Sequence, residues 1–530
     1  MSISTPSKKR ARTLSSDMGP PCAPKPCNPT NNVAIQNKLR SMPFGHPTLK
    51  TLFMLDPSYL HINHGGCGAT PRYIIEKQKH LVNQMEQLPD RWFKKIAPTK
   101  IRAAASDLAS FIGAEPNEVV FVVNATTGIN SVIRSLDLQQ GDSVLCLDLT
   151  YRPVLNTLRF VCEQREELYP LIELPMPLPL PSCTTIIAMV EDTLLKHPNI
   201  RLAVFDHITS PTALVLPVIE LCALCKRKNV TVLIDGAHAP GQVHLDMKKI
   251  NADFYVGTCH KWLFSPKGTA FLWASADNQD SIKPVVTATA NNAGFVQDYL
   301  FQGTRDETAF CCVPTALTLY RGLGVERIYK HNYELVRQAS AHLVNVWNSE
   351  ILAPLSLRGA FMAAIRVPLP FGQALCSNGG NGGNGGNGGN ESNDGVSSIG
   401  GGGDDGSRSS NSNSSNQEQA QEQIRQKDNA TIDQLMLGKI GHEVLHDLLE
   451  KEYNIEYVKL FNFGKRVWVR IACQIYNEME DYERLGQAVI DVITEGKYIK
   501  ELLERASQKI TNEREEEDGD DVDNWDGNVY

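Results

Sequence analysis

The first half of the chain alternates short apolar runs with longer amphipathic runs. Apolar runs of this length are typical of buried strands, and apolar residues three and four positions apart are typical of helices. The predicted strands are Glu118–Val123, Ser143–Asp148, Arg201–Asp206, Val230–Asp235, Asp253–Val256 and Thr269–Trp273. The predicted helices between them are Thr127–Leu138, Arg152–Glu163, Thr184–Lys196 and Val218–Asn229. This alternation indicates an α/β fold with a mostly parallel central sheet and helices on both faces.

The pattern changes after this region. Two helices are predicted at Val313–Gly322 and Glu326–Ile351, and they lead into a small α+β domain. Its predicted strands and helices are Ala360–Val367, Leu435–Glu452, Ile455–Leu460, Arg466–Ala472 and Met479–Ile493. The predicted division is a large α/β domain over 41–330 and a small C-terminal domain over 331–372 and 431–500.

Three segments have compositions that cannot bury a core. Residues 1–40 are rich in Pro, Ser, Asn and Lys, and are predicted as a disordered basic tail. Residues 373–430 contain Gly-Gly-Asn repeats and are predicted as a disordered insertion in a surface loop. Residues 501–530 are predicted as an acidic C-terminal tail.

The charge balance limits the classes of function. The 530 residues contain 52 Lys and Arg against 60 Asp and Glu, so the net charge is −8. This balance disfavours nucleic-acid binding, which needs a basic surface. No run of about 18 apolar residues predicts a membrane span. We therefore expect a cytoplasmic protein, in which Lys8–Arg12 could be a nuclear import signal, part of an organelle presequence, or simply a solvated segment.

The 13 cysteines are scattered along the chain, which favours a reducing compartment over a disulfide framework. Cys222 and Cys225 form a CxxC pair within an apolar helical run. Two core thiols are the favoured interpretation, because a redox pair needs a thioredoxin-like strand and turn before it. No second CxxC or His pair accompanies them, so no metal site is predicted.

An acid and a lysine follow two neighbouring predicted strands. Asp235 ends the strand that leads into Gly236-Ala237-His238, and Lys261 follows the strand that leads into Thr258-Cys259-His260. Ligands of such sheets bind outside the carboxyl ends of the strands. This pair suits pyridoxal 5'-phosphate (PLP), since the lysine binds its aldehyde as an imine and the acid keeps its ring nitrogen protonated. On spacing alone, an ordinary cap and an exposed lysine are the alternative.

Together with its surroundings, this segment resembles the class V aminotransferase family of fold-type I PLP enzymes. The resemblance is strongest to the isopenicillin N epimerase-like and C–S lyase branch, and it extends from about Tyr59 to Ile493 apart from the insertion. It implies a fold-type I architecture, PLP as cofactor, a small amino-acid substrate and a homodimer.

The resemblance implies the cofactor contacts by position. Lys261 corresponds to the Schiff-base lysine, and Asp235 to the partner of the ring nitrogen. The phosphate contacts correspond to Thr126, Thr127 and Thr258, with Thr304 reaching the phosphate of the partner subunit. The ring contacts correspond to Tyr151, which stacks on the ring, and to His238 and Ser210 near its phenolic oxygen. Ser210 stands where desulfurases have Asn. Without the resemblance, the Thr pair would be a simple helix N-cap and Tyr151 a packing residue.

The resemblance also implies the substrate contacts. Asn63 and His64 belong to the entrance segment near the substrate, and Arg470 corresponds to the residue that binds the α-carboxylate through its planar fork. His260, directly before the lysine, is a further catalytic candidate. Without this context, His260 would be a packed histidine and Arg470 a solvent-facing residue on a strand.

A nucleophilic cysteine distinguishes the cysteine desulfurases from the other branches of this family. Cysteine desulfurases carry a nucleophilic Cys shortly before the carboxylate Arg, and Tyr457–Val469 contains none. Cys376 lies in the insertion and Cys473 follows the Arg. The favoured function is a PLP-dependent C–S lyase acting on cysteine or hercynylcysteine sulfoxide. An epimerase or aminotransferase is the alternative, and a desulfurase or a non-catalytic scaffold is disfavoured.

Overall fold

The computed structural model describes residues 39–45, 47–163, 170–369, 440–464 and 466–519. Nearly all of the predicted basic tail lies outside these residues, including Lys8–Arg12. The predicted insertion, with Cys376, also lies outside them.

A seven-stranded sheet organises the larger part of the chain. Its strands are β1 Val119–Val122, β2 Ser143–Leu147, β3 Leu171–Leu174, β4 Ile200–Asp206, β5 Thr231–Gly236, β6 Phe254–Thr258 and β7 Ala270–Ala274. Their spatial order is β1-β7-β6-β5-β4-β2-β3. Strand β7 runs antiparallel to both of its neighbours, and the other pairs are parallel. The predicted mostly parallel sheet is confirmed.

Both faces of this sheet are buried. On β5, Val232 and Ile234 belong to the larger apolar cluster of the molecule, which we call the main cluster, whereas Leu233 belongs to a cluster on the opposite face. Strands buried on both faces lose the alternation of polar and apolar residues. This burial explains why the strands of the large sheet are continuous apolar runs in the sequence.

Helices cover the sheet and connect it to the C-terminal region. They are α1 Arg72–Gln87, α2 Ala97–Ile112, α3 Ala125–Ser135, α4 Arg152–Glu163, α5 Cys183–Lys196, α6 Val218–Arg227, α7 Val313–Leu323, α8 Val325–Val346, α9 over 440–453, α10 Met479–Thr494 and α11 Lys497–Gly519. Shorter helices include His64–Cys67, Met247–Ile250, Phe295–Leu300 and Thr308–Cys311. On α6, Cys222 and Cys225 are both buried in the main cluster, as predicted. Within the described ranges, no helix is long and apolar enough to cross a bilayer.

Strand β3 was not predicted. It precedes a proline-rich stretch that runs from Pro175 to Pro181, and this stretch hides a strand of only four residues in the sequence pattern. The strand pairs in parallel with β2 at the edge of the sheet. Prolines are tolerated beside an edge strand because fewer of its amides are needed for pairing.

A second, three-stranded sheet lies in the C-terminal region. Its strands are β8 Met362–Arg366, β9 Lys459–Phe463 and β10 Arg466–Ala472, in the order β8-β10-β9 with antiparallel pairing. A second apolar cluster, the small-domain cluster, packs against one face and includes Val469, Leu485 and Val444.

The predicted strand Ile455–Leu460 differs from the structure, in which β9 begins only at Lys459. Ile455 instead forms an isolated parallel bridge with Leu60. Ile455 and Val458 are both buried in the small-domain cluster, so this segment is apolar because it is packed.

The predicted acidic tail begins at residue 501, inside helix α11, which continues to Gly519. Tyr498, Leu502 and Ala506 are buried in the small-domain cluster and are spaced four residues apart. This spacing places them on one helix face. The many acidic residues that follow had obscured this short apolar stripe in the composition.

Candidate active site

The carboxyl ends of β4, β5 and β6 form the centre of the candidate site. Asp206 ends β4 and Asp235 lies near the end of β5, and the two residues are paired in register. Thr258 ends β6 and leads within three residues to Lys261. The structure therefore brings the predicted acid and lysine to the same edge of the sheet.

The Lys261 amine lies 3.0 Å from Nε2 of His238. Burial, together with the charge of Arg470, lowers the pKa of Lys261 to about 8, although the charge of Asp235 works against this shift. Roughly a tenth of the amine is therefore uncharged at pH 7, far more than for an ordinary lysine. An uncharged amine is the form that can attack an aldehyde or accept a proton.

Asp235 is only 3% exposed, and one carboxylate oxygen accepts a 2.9 Å hydrogen bond from the amide of Ala237. Burial raises the pKa of Asp235, while this amide and the charge of Lys261 act in the opposite direction. A cationic ring nitrogen beside Asp235 would stabilise the ionised carboxylate.

Asp206 is a buried carboxyl group that the sequence analysis did not select. Burial, followed by the charge of Asp235, raises the pKa of Asp206 well above its usual range. The backbone amide of Tyr151 donates a hydrogen bond to Asp206. Two neighbouring buried carboxylates repel each other, which favours the protonated form of Asp206. The hydrogen bond from the Tyr151 amide fixes the backbone at Tyr151. The place of Asp206 at the end of the predicted neighbouring strand was the available signal.

His238 is buried and neutral, because burial lowers its pKa well below the usual range. Its Nε2 is also 3.2 Å from the Ser210 hydroxyl. If Nε2 accepts the hydrogen bond from Lys261, the proton lies on Nδ1. That Nδ1 is buried and has no hydrogen-bond partner in the described structure. A buried donor without a partner suits an acceptor atom on a bound molecule.

Arg470 is 2% exposed, and it connects β10 to the loop that follows β4 and to the entrance segment. One guanidinium nitrogen donates to the Ser210 carbonyl at 2.6 Å, and another donates to Oδ1 of Asn63 at 2.7 Å. Nε is buried with no partner among the described residues. Burial lowers the pKa of Arg470 to about 10. The structure therefore places Asn63, Ser210 and Arg470 together.

His64 is hydrogen-bonded to the backbone of Lys261. Its Nε2 donates to the Lys261 carbonyl at 2.7 Å, and its Nδ1 lies 3.0 Å from the Tyr476 hydroxyl. Burial lowers the pKa of His64 to about 3, so the ring is neutral. Because both nitrogens bond to protein atoms, we expect His64 to position Lys261. The predicted substrate contact of His64 stays a prediction.

The entrance segment packs tightly on the backbone of Lys261. Gly68 has a φ of +70°, and a Cβ at this position would lie 2.1 Å from the carbonyl oxygen of His260. Its neighbour Cys67 is exposed, and a charge on this thiol would raise the pKa of both Lys261 and Arg470. The structure therefore adds a thiol at the mouth of the site. Cys67 directly follows the entrance segment, and this position in the sequence was the signal for it.

Tyr151 borders the site, and the Thr pair lies at the start of helix α3. Tyr151 is 38% exposed, and burial together with the charge of Asp235 raises its pKa. Thr126 and Thr127 lie in the first turn of α3, where the side chain of Asn124 accepts the amide of Thr127 at 2.8 Å. The N-cap is therefore present, and the phosphate contact of the Thr pair stays a prediction.

The remaining predicted residues have other partners or none. The Thr258 hydroxyl donates to the Ala237 carbonyl, so a phosphate contact would have to replace this bond. His260 is hydrogen-bonded through Nδ1 to the Thr269 carbonyl at 2.8 Å, and burial lowers its pKa. Thr304 lies exposed in a bend, and no hydrogen bond joins it to another predicted site residue in the described structure. The predicted roles of these three residues stay predictions.

Comparison with known proteins places the chain in a family. Its residues 66–366 match the aminotransferase class-V model, and the chain belongs to this family. It is 26% identical over 366 residues to an L-cysteine desulfhydrase-like protein of Epichloe uncinata, covering 62% of this chain and 78% of the relative. It is 29% identical over 333 residues to an isopenicillin N epimerase of Amycolatopsis lactamdurans, covering 59% and 82%.

The fold has known counterparts among solved structures. A complex of a cystine C–S lyase with its product cysteine persulfide matches with a TM-score of 0.56 and 19% identity, covering 82% of this chain and 98% of that chain. At this identity the likeness concerns the fold alone, and it confirms the fold-type I architecture.

The chain is accordingly a PLP-dependent enzyme, and the described side chains fit this cofactor. Lys261 supplies an amine that is partly uncharged, Asp235 a buried acid for the ring nitrogen, and His238 a buried ring nitrogen without a partner. Tyr151 offers an exposed aromatic ring beside them. When bound, PLP supplies an electron-accepting ring that weakens the bonds at Cα of an amino acid.

Proposed function

We propose that the chain is a C–S lyase that cleaves a cysteine-derived amino acid, such as cysteine or hercynylcysteine sulfoxide, by β-elimination. The observation that carries this proposal is the clustering of Lys261, Asp235 and Arg470 in one buried site. Maintaining two cations and an acid in such a site is costly without a ligand. This cost argues against a non-catalytic scaffold.

Each residue would have a separate task. Arg470 would bind the α-carboxylate, for which its planar fork is suited. Lys261 would take the proton from Cα, and the sulfur group would leave with the electrons of the C–S bond. The remaining three-carbon fragment would take up water and yield pyruvate and ammonia. No protein thiol is consumed in this sequence of steps.

The position of cysteines favours the lyase over a desulfurase. The described residues between Tyr457 and Val469 contain no Cys, whereas Cys67 is an exposed thiol at the mouth of the site. We therefore propose testing Cys67→Ser and Cys376→Ser with cysteine, cystine and a sulfoxide conjugate, and scoring pyruvate and alanine. We expect pyruvate at near wild-type rates in both variants. Alanine as the main product, lost in either variant, would establish a desulfurase instead.

An epimerase or aminotransferase is the second candidate, supported by the similarity to isopenicillin N epimerase. Both reactions use the same proton removal by a lysine, so the described site does not separate them from elimination. Chiral chromatography of amino acids after incubation would reveal an epimerase through accumulation of the D isomer.

We also propose a homodimer in the cytoplasm, with nuclear import through Lys8–Arg12 as a further option. The exposed position of Thr304 leaves it accessible to a partner subunit, as the family resemblance implies. Light scattering coupled to gel filtration would measure the dimer mass. A monomer at micromolar concentration would contradict the proposed assembly.

A further inference from the structure

A second cation stands directly opposite Arg470 in the small sheet. Lys459 on β9 and Arg470 on β10 are paired in the antiparallel register. Residues that are directly opposite one another have Cβ atoms about 5 Å apart on the same face of the sheet. Lys459 therefore shares the sheet face that carries Arg470.

This face is turned toward the main cluster and the candidate site. On β10, Trp468 belongs to the main cluster, two residues before Arg470. On β9, Phe461 packs against the main cluster, whereas Leu460 belongs to the small-domain cluster. Because side chains alternate along a strand, Lys459 lies on the same side as Phe461.

Lys459 is half-buried and has no acidic partner among the residues that the structure describes. Burial and the charge of Arg470 lower the pKa of Lys459. Elsewhere on this sheet, Arg466 is paired with Glu350 at 2.6 Å. Two adjacent cations without a carboxylate are unfavourable unless an anion joins them.

We propose that Lys459 binds an anionic group on the sulfur substituent of the substrate. This proposal rests on the lyase function and on Arg470 binding the α-carboxylate. The two cations project from directly opposite positions on neighbouring strands, and the backbones of such strands are about 4.8 Å apart. This spacing suits a substrate with two anionic groups separated by a few bonds. The substrate class would be cysteine conjugates that carry a second carboxylate or sulfonate.

The test uses two substrates of nearly equal shape and different charge, S-carboxymethyl-L-cysteine and S-carbamoylmethyl-L-cysteine. We expect the wild-type holoenzyme to prefer the acid over the amide by about tenfold in kcat/KM, the scale of one charged hydrogen bond. Lys459→Met should reduce this preference to near one, and Lys459→Arg should retain it. Lys451→Met, at a side chain that is 70% exposed, is the matched control and should also retain it.

Binding is measured separately from turnover with the α-methyl derivatives of both compounds, which have no Cα proton to lose. Calorimetry should show the same tenfold ratio of dissociation constants, lost in Lys459→Met. If this ratio is present but no substrate yields pyruvate, the lyase function fails and the anion site stands. Equal binding of acid and amide by the wild type would overturn the anion site. An equal loss for both compounds in Lys459→Met would also overturn it, because Lys459 would then share the α-carboxylate.

Discussion

At the scale of single residues, the site depends on burial at the ends of three strands. Lys261 and Asp235 could be predicted because both follow recognisable strands, and the structure brings them together. Asp206 and Cys67 were not selected, since their importance depends on neighbours that are distant in sequence. Tertiary contacts also decide which hydroxyl groups already have a hydrogen-bond partner, as the Thr258 hydroxyl has in the Ala237 carbonyl.

The pKa of Lys261 predicts how the apoenzyme loads its cofactor. Only the uncharged amine attacks the PLP aldehyde, so the loading rate should rise with pH and level off above about 8. Stopped-flow absorbance in the visible range measures this rate. Lys261→Ala is the control and should give no imine that borohydride reduces onto the protein. A rate that is flat from pH 6 to 9 would contradict the assigned environment of Lys261.

The raised pKa of Asp206 predicts a pH-dependent stability. The folded state binds a proton that the unfolded state releases above pH about 4, so this contribution is lost as pH rises toward the folded pKa. Asp206→Asn keeps the size and the acceptor for the Tyr151 amide but does not titrate. As the pH rises from 5 to 8, the denaturation midpoint of apo wild type should therefore fall relative to that of apo Asp206→Asn. A constant difference would show that Asp206 is ionised throughout.

At the scale of elements, predictions succeeded where neither prolines nor long charged runs disturbed the hydrophobic pattern. Strand β10 and helix α4 occur at the predicted residues, because their burial patterns are simple. Prolines hid strand β3 in the sequence pattern. The strand predicted at Ile455–Leu460 was apolar because Ile455 and Val458 are buried in the small-domain cluster. Helix α11 was hidden by the acidic residues that follow its buried face.

The packing of α11 can be tested with two neighbouring leucines. Leu502 is 5% exposed, whereas Leu503 is 57% exposed. Leu502→Ala should lower the free energy of unfolding by about 2–5 kcal/mol, because it leaves a cavity in the small-domain cluster. Leu503→Ala should change it by less than about 0.5 kcal/mol. Equal effects in urea unfolding would show that α11 does not pack as described.

At the scale of the whole molecule, alternation of strands and helices was enough to predict the class of fold, because a parallel sheet requires helical crossovers. The pairing of β7 with β1 depends on tertiary packing, and so does the contact of Arg470 on β10 with the loop that follows β4. The predicted domain boundaries and the insertion stay predictions, since residues 370–439 lie outside the described structure.

The insertion can be shortened to test its predicted independence from the core. Deleting Gly379–Gly402 should change stability by only about 1 kcal/mol, because the entropy of loop closure depends weakly on length. Melting temperature and cofactor content of the holoenzyme measure the effect. A large fall in melting temperature would show that this segment packs on the enzyme.

The central claim is that Lys261 removes the Cα proton and that the C–S bond then breaks. Mass spectrometry of all products formed from L-cystine in heavy water tests it most directly. Elimination by Lys261 should give pyruvate and ammonia in equal amounts, with solvent deuterium in the methyl group of pyruvate. Lys261→Ala should give neither product. Alanine, D-cystine labelled at Cα, or a keto acid that keeps its sulfur would contradict elimination.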